Sequence, residues 1–319
     1  MTNSPEIPKK NLIIDASIMS SLMSCGMLTD LRYNHNFISL DGKSNSLEVG
    51  SLVHKILEIF NKSIISGAKR SDAIQSSFVA GEMYVRGCQY CTDFEPTETE
   101  IKPLCGHTQN EYEGLKNTPQ DNEKNKVGWK WAFETMNQYF DFYKNDSWIT
   151  LEAEVTKGEI LYEDDDIRIL WKAKLDRVVD TNQGILPVDV KTSKQNRNTL
   201  SLNNQFIGQC LLMKTRSMII DKIGFQTTLE PKDKFSRVIM SYSADRLIEW
   251  QSITLPFWAK MYQMYQESEY WPQNFTHCDN KFGQCMYKGI CESDRNMREE
   301  ELQKNFKIGM KWDVFNIDD

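Results

Sequence analysis

Four separated pieces of the chain carry the side chains best suited to chemistry: Gly50-Ser51-Leu52-Val53-His54, Lys174-Leu175-Asp176-Arg177, Pro187-Val188-Asp189-Val190-Lys191-Thr192 and Asn204-Gln205-Phe206. Asp176 and Asp189 are hard oxygen donors of the kind that bind Mg²⁺ or Mn²⁺, and an imidazole nitrogen from His54 tilts such a site toward Mn²⁺. With the backbone carbonyl of Val190 they make a plausible ligand set. A cation held there would polarise a phosphodiester and acidify a water. Lys191 lies two residues beyond Asp189, hence on the same strand face, where it could orient that water or stabilise developing negative charge. Gln205 could position water or substrate. An isolated Asp-x-Lys is common on exposed strands, and a histidine among apolar neighbours is more often a satisfied core group. The ordered set carries the expectation.

The surrounding pattern predicts elements able to bring these groups together. Leu52, Val53, Ile56, Leu57 and Phe60 recur at helical spacing between Leu47 and Ile65, placing His54 on a helix one turn from Glu58. A capped helix is expected over Asp15 to Leu31 and an amphipathic one over Trp129 to Tyr143. Short apolar runs at Ile149 to Val155, Ile167 to Trp171, Leu175 to Val179 and Ile185 to Val190 read as strands. Lys157-Gly158, Asp164-Asp165-Asp166 and Asn182-Gln183-Gly184 read as the turns between them. Asp176 and Asp189 then lie on strands one hairpin apart. A helix over Ser201 to Thr215, a strand over Ser236 to Tyr242 and a long helix from Ala244 to Glu267, kinked or broken at Pro256, complete an α/β core.

The chain has 319 residues and 40% hydrophobic content, enough for one large core or a core with a satellite. Lys+Arg 38 against Asp+Glu 45 gives a net charge of −7, which excludes a bulk polycation. Nucleic acid would have to be met by a local basic groove. Lys172, Lys174, Arg177, Lys191, Lys194 and Arg197 surround the proposed ligands and could line one, although charged residues also protect ordinary strand edges. Trp171 and Phe206 could stack on unpaired bases, with core packing the commoner role. No stretch approaches the roughly 18 apolar residues of a membrane span, and Met1 to Asn11 lacks a secretory apolar run. A soluble, cytoplasmic protein is expected.

The motifs Gly50 to His54, Leu175-Asp176-Arg177, Val188 to Ser193 and Gln205 resemble the successive motifs of the PD-(D/E)XK nuclease superfamily, specifically its RecB-like exonuclease branch, over Ser17 to Cys291. The resemblance implies a central mixed β-sheet flanked by helices, as in restriction endonucleases. It also implies Asp176, Asp189 and His54 as metal ligands, Lys191 as the catalytic lysine and Gln205 from the helix motif. Glu154 matches an acidic residue often found on an earlier strand. The chain departs from the family pattern at Ala173, where glycine is usual, and at Gln209, where the helix motif has tyrosine. The branch acts on DNA ends or single strands. No Gly-x4-Gly-Lys-Ser/Thr motif is present, so unwinding would fall to a helicase, with an annealing protein as another partner in trans. A viral or mobile-element source fits a small stand-alone member by analogy.

Eight cysteines in a reducing compartment favour metal ligation over disulfides. Cys278, Cys285 and Cys291 occur as Cys-x6-Cys-x5-Cys, three thiolates that need a fourth ligand. In the AddB-type and CRISPR-associated relatives, one cysteine before the core joins three after it around a [4Fe–4S] cluster. Cys25 resembles that first cysteine, although the first C-terminal gap is longer here. Zinc, with His277 as a substitute ligand, and unligated thiols are the alternatives. Cys88-x2-Cys91 followed by Cys105-x-His107 could form a zinc ribbon. The expected organisation is a single nuclease domain over 1–319, with a polar insertion at 87–125 and a cysteine segment at 270–295. The competing class is a non-catalytic nucleic-acid-binding protein whose metal–thiolate sites are structural.

Overall fold

The computed structural model describes residues 9–40, 45–85, 94–96, 101–103, 123–193, 203–225, 229–280 and 283–309. The strands in chain order are β1 (Lys10–Asp15), β2 (Phe37–Ser39), β3 (Phe94–Pro96), β4 (Ile101–Pro103), β5 (Ile149–Glu163), β6 (Ile167–Thr181), β7 (Gly184–Ser193), β8 (Ser217–Gly224), β9 (Phe235–Ser241), β10 (Asp279–Asn280), β11 (Gly283–Gln284) and β12 (Phe306–Ile308). Six of them form the central mixed sheet, in the order β1-β6-β7-β8-β9 with β5 also paired to β6.

The long strand β6 organises this sheet. Along one edge it pairs with β5 over nearly its whole length. Along the other edge Ile167 to Lys172 pair with β1 in parallel, whereas Arg177 to Thr181 pair with β7 antiparallel. The intervening residues, Ala173 to Asp176, pair with neither β1 nor β7. The sheet therefore forks, and β7 leaves β6 after the Arg177–Val188 pair to continue beside β8 in parallel.

Helices cover both faces, as a mixed sheet requires. On one side the helix Asn45–Ile65 buries Leu52, Val53, Ile56, Leu57 and Phe60 against Met136, Tyr139 and Phe140 of helix Glu123–Phe142 and against Val190, Ile223 and Phe235 of the sheet. On the other, Phe206, Ile207 and Cys210 of helix Asn204–Leu212 pack with Trp171, Leu175, Met218, Ile220 and Trp250. Trp171 and Phe206 are fully buried, so both serve packing and not base stacking.

The expected fold class is found, with local differences. Lys157-Gly158 is not a turn: β5 runs straight through it, because the pairing partner β6 is itself one continuous strand. Strands β1 and β8 and the helix Arg70–Val85 were not anticipated. That helix buries Ala73, Ser77 and Ala80, and a Cβ at Gly81 would stand 2.8 Å from Ile56 Cγ1. Small residues permit this close helix packing while leaving little apolar periodicity to read. Pro256 neither breaks nor ends its helix. A π-turn at Trp250–Thr254 precedes it, and Pro256 occupies the first turn of Leu255–Ser268, where a missing N–H costs least.

The segment around β2 and the C-terminal end of the described chain meet in a satellite. Strand β2 pairs with β12, and Leu31, Tyr287, Ile290 and Phe306 form a small core. Tyr287 donates its hydroxyl to the Phe37 carbonyl at 2.5 Å. Among the described residues, no helix is long and apolar enough to cross a membrane.

Candidate active site

Three carboxylates line up across three adjacent strands. The β5–β6 register, Ala153 with Arg177 and Val155 with Leu175, sets Glu154 opposite Asp176. On the other edge, one step beyond the Arg177–Val188 pair would set Asp176 against Asp189, at the point where the sheet forks. Asp176 fills that fork: its Oδ2 accepts the Val190 N–H at 2.7 Å, satisfying a backbone donor where the ladder has ended. Its Oδ1 lies 3.5 Å from His54 Nδ1, contributed by helix Asn45–Ile65.

Like charges directly opposite one another destabilise a sheet, so the row needs compensation. Lys174 Nζ lies 2.8 Å from Glu154 Oε2 and Lys191 Nζ lies 2.7 Å from Asp189 Oδ2. Gln205 Nε2 donates to Asp189 Oδ1 at 2.7 Å, while Lys191 Nζ donates to Gln205 Oε1 at 3.3 Å. Gln205 is aimed by its helix: Asn203 accepts the Gln205 N–H as N-cap at 2.8 Å, and Asn204 accepts Trp250 Nε1–H at 2.8 Å. Gly208 lets this helix approach the sheet, since a Cβ there would stand 2.3 Å from Trp171 Nε1.

Protonation equilibria are split across the row. Burial pushes the Asp189 carboxyl up, and the Asp176 charge adds to this against the opposing pull of Lys191. Burial likewise raises Glu154, helped by Asp176 and opposed by Lys174. Burial acts to raise Asp176 as well, but the His54 hydrogen bond and charge, the Val190 N–H and Lys191 outweigh it, so its carboxyl falls. For His54, burial disfavours the cation, yet Asp176, Glu154 and Asp189 together raise it. Carboxylates driven apart in this way mark functional sites more often than structural ones.

The donor set suits a hard divalent cation. One ligand atom each from His54, Glu154 and Asp176 lie within 4.8 Å of one another, a span that bonds of about 2.0–2.6 Å can bridge. Asp189 Oδ2 is buried and faces Lys191 Nζ at 2.7 Å. Val190 has a buried side chain, so only its backbone can contribute. The tight group thus takes Glu154 as third member, with Asp189 one strand over in the grip of Gln205 and Lys191. Glu154 also carries a left-handed backbone, φ 52°, strained for a residue other than glycine and a further sign of a functional position.

The expected basic groove is only partly present. Arg177 corrects that expectation: one residue after Asp176, it is buried, with Nη2 3.4 Å from Asp221 Oδ2 beside Arg237 and Tyr139, and cannot meet a phosphate. Lys172 is buried and Lys174 is engaged by Glu154. Lys194 and Arg197 lie outside the described residues, as do Cys88, Cys91, Cys105 and His107.

Cys25, Cys278, Cys285 and Cys291 do come together. Cys25 follows helix Ala16–Ser24, and its Sγ accepts the Asn274 N–H at 3.3 Å. The Cys285 N–H donates to the Cys278 carbonyl at 2.8 Å. Burial raises the Cys291 thiol to about 11, reinforced by Cys25, Cys278 and Cys285. The Cys278 Sγ in turn donates to the Asn274 carbonyl at 3.8 Å, so Asn274 contacts both sulfurs.

Sequence reasoning missed Gly208, whose small size is meaningful only once Trp171 is known to lie beneath it. The capped helix expected from Asp15 is found, shorter, as Ala16–Ser24, with the Asp15 carboxylate itself as the cap, accepting the Ile18 N–H at 2.7 Å.

No curated protein matches the chain. Among solved structures, a Eubacterium rectale protein provisionally described as an exonuclease aligns at 15% identity and TM-score 0.42, covering 84% of this chain and 86% of its own. The crystal structure of SSO0001 aligns at 13% identity and TM-score 0.33, covering 58% and 75% respectively. A family model described as PD-(D/E)XK nuclease superfamily matches residues 16–292. That span contains every side chain of the acidic row and all strands of the central sheet except β1, and the chain belongs to the PD-(D/E)XK nuclease superfamily.

Proposed function

We propose that the chain is a metal-dependent deoxyribonuclease of the RecB-like branch, an exonuclease hydrolysing phosphodiester bonds at DNA ends or in single strands during replication, recombination or repair. The observation that carries this reading is the convergence of Glu154, Asp176 and Asp189 across three strands with His54 on one side and Lys191 on the other. His54, Glu154, Asp176, Asp189 and the Val190 carbonyl would hold Mg²⁺ or Mn²⁺. Such a cation, when bound, lowers the pKa of water and neutralises phosphate charge. Lys191 places its ammonium beside the reacting phosphate and steadies charge building on it. Gln205 holds Asp189 and Lys191 in register through its two amide atoms.

The test is cutting of end-labelled single- and double-stranded DNA with Mg²⁺ or Mn²⁺ by the wild-type protein beside Asp189→Ala and Lys191→Ala. Loss of cutting in both folded variants supports catalysis. Equal residual cutting in both, or binding without cutting by the wild type, would leave a non-catalytic nucleic-acid-binding protein.

The finer parts of the reading are a single nuclease domain over 1–319 and a [4Fe–4S] cluster on Cys25, Cys278, Cys285 and Cys291. Support for the cluster comes from Cys25 and Cys278, whose sulfurs both contact the Asn274 backbone, and from the effect of Cys25, Cys278 and Cys285 on the Cys291 thiol. It would tie segments about 250 residues apart, a large loop closure. We also propose that Cys88, Cys91, Cys105 and His107 bind zinc within the 87–125 insertion, and that a helicase or annealing protein acts in trans.

A further inference from the structure

The fork in the sheet opens a second feature beside the acidic row. A cavity of about 500 Å³ lies between helix Ala16–Ser24, the middle of β6 and helix Asn204–Leu212, lined among others by Ser17, Ser20, Arg32, Lys174, Gln205 and Gln209. Lys174 and Gln205 belong to both places: one holds Glu154, the other Asp189. The volume falls in the range of small-ligand sites. Gln209 lines this cavity with 1% exposure, and neither its amide nitrogen nor its amide oxygen has a hydrogen-bond partner. A buried amide left so is unfavourable, and a ligand carrying an adjacent donor and acceptor would satisfy both of its atoms. At the mouth, exposed Arg32 stands with its guanidinium 5.5 Å from the Tyr33 ring centroid, a planar cation suited to a phosphate.

The geometry points to a subsite for one unpaired nucleotide of the substrate strand, with the Gln209 amide hydrogen-bonded to the edge of its base and Arg32 on its phosphate. It deepens, and rests on, the nuclease reading. Each base edge used in pairing offers a donor beside an acceptor, and a glutamine amide complements such an edge bidentately. In a duplex that edge is already occupied by the partner base. The subsite therefore selects single-stranded DNA and sets the base next to the scissile phosphate.

The test uses the full chain carrying Lys191→Ala, so that binding is read without cutting. Fluorescence anisotropy measures affinity for a labelled single strand in which one abasic residue is moved step by step from the end. One position is expected at which losing the base weakens binding about tenfold, and adding Gln209→Met should make that position indifferent. Arg32→Ala, at an exposed residue, should weaken binding and reduce the salt slope by about one phosphate contact. It decides the matter if Gln209→Met fails to fold. A flat abasic profile, a sensitive position unchanged in Gln209→Met, or unchanged affinity in Arg32→Ala would overturn the subsite. Cutting by the wild type together with a flat profile sinks the subsite and leaves the nuclease. A sensitive position without any cutting by the wild type sinks the nuclease and leaves the subsite.

Discussion

Glu154 stands opposite Asp176 across the β5–β6 ladder and does so with φ at 52°, a left-handed backbone inside a strand. Two facing carboxylates, one of them on a strained backbone, stand against both electrostatics and local sterics, which is the pattern of a site shaped for a ligand.

The strain can be separated from the chemistry. In a left-handed conformation, alanine costs about 1–2 kcal/mol relative to glycine. Glu154→Gly is therefore expected to unfold at higher urea than Glu154→Ala by that amount, with both variants deficient in metal-dependent cutting. Equal stability of the two variants would mean the left-handed backbone is not maintained in solution.

At Gly208, contact with Trp171 leaves no room for a methyl group. Gly208→Ala should lift the helix that carries Gln205, destabilising the protein by about 1–3 kcal/mol, the usual cost of overpacking. Because Gln205 bridges Asp189 and Lys191, nuclease activity should fall even at temperatures where the variant is fully folded. Urea melts and activity measured on one preparation check both parts.

Glu58 supplies a pH-dependent term. Burial acts to raise its carboxyl, but Lys55 and Lys62 outweigh this and hold it below the ordinary glutamate range. A depressed carboxyl adds stability that is complete above the unfolded value of about 4.3 and disappears as pH falls through the lower folded value. The stability gap between wild type and Glu58→Gln should be constant from pH 7 to about 5 and then close below about pH 4. With a half-buried pair the gap should be about 1 kcal/mol or less. A gap that widens on acidification contradicts this sign.

For the thiols, protein purified without oxygen should be brown, with broad absorbance near about 400 nm from thiolate-to-iron charge transfer. Cys285→Ser should abolish the colour and lower the melting temperature. A colourless protein with stoichiometric zinc would assign the site to zinc instead.

How much was legible in the sequence varies by element. The helix carrying His54 announced itself because its buried face is made of large apolar residues at regular spacing. The β6–β7 hairpin did so because Asn182-Gln183-Gly184 separates two apolar runs, and Gly184 adopts φ 104°. The helix Arg70–Val85 was silent because Ile74 and Phe78 share its packed face with Ala73, Ser77, Ala80 and Gly81, whose smallness is the signal only when the partner helix is known.

The order and chemistry of His54, Asp176, Asp189, Lys191 and Gln205 were written in the chain alone, since side-chain type and strand alternation are local properties. Tertiary structure decided that β6 forks between β1 and β7, that Glu154 joins Asp176, and that Arg177 turns away to Asp221. It also left Gln209 unpartnered over a cavity. These follow from which strand edges meet, and edge pairing is settled by contacts between residues far apart in sequence, which no local spacing encodes.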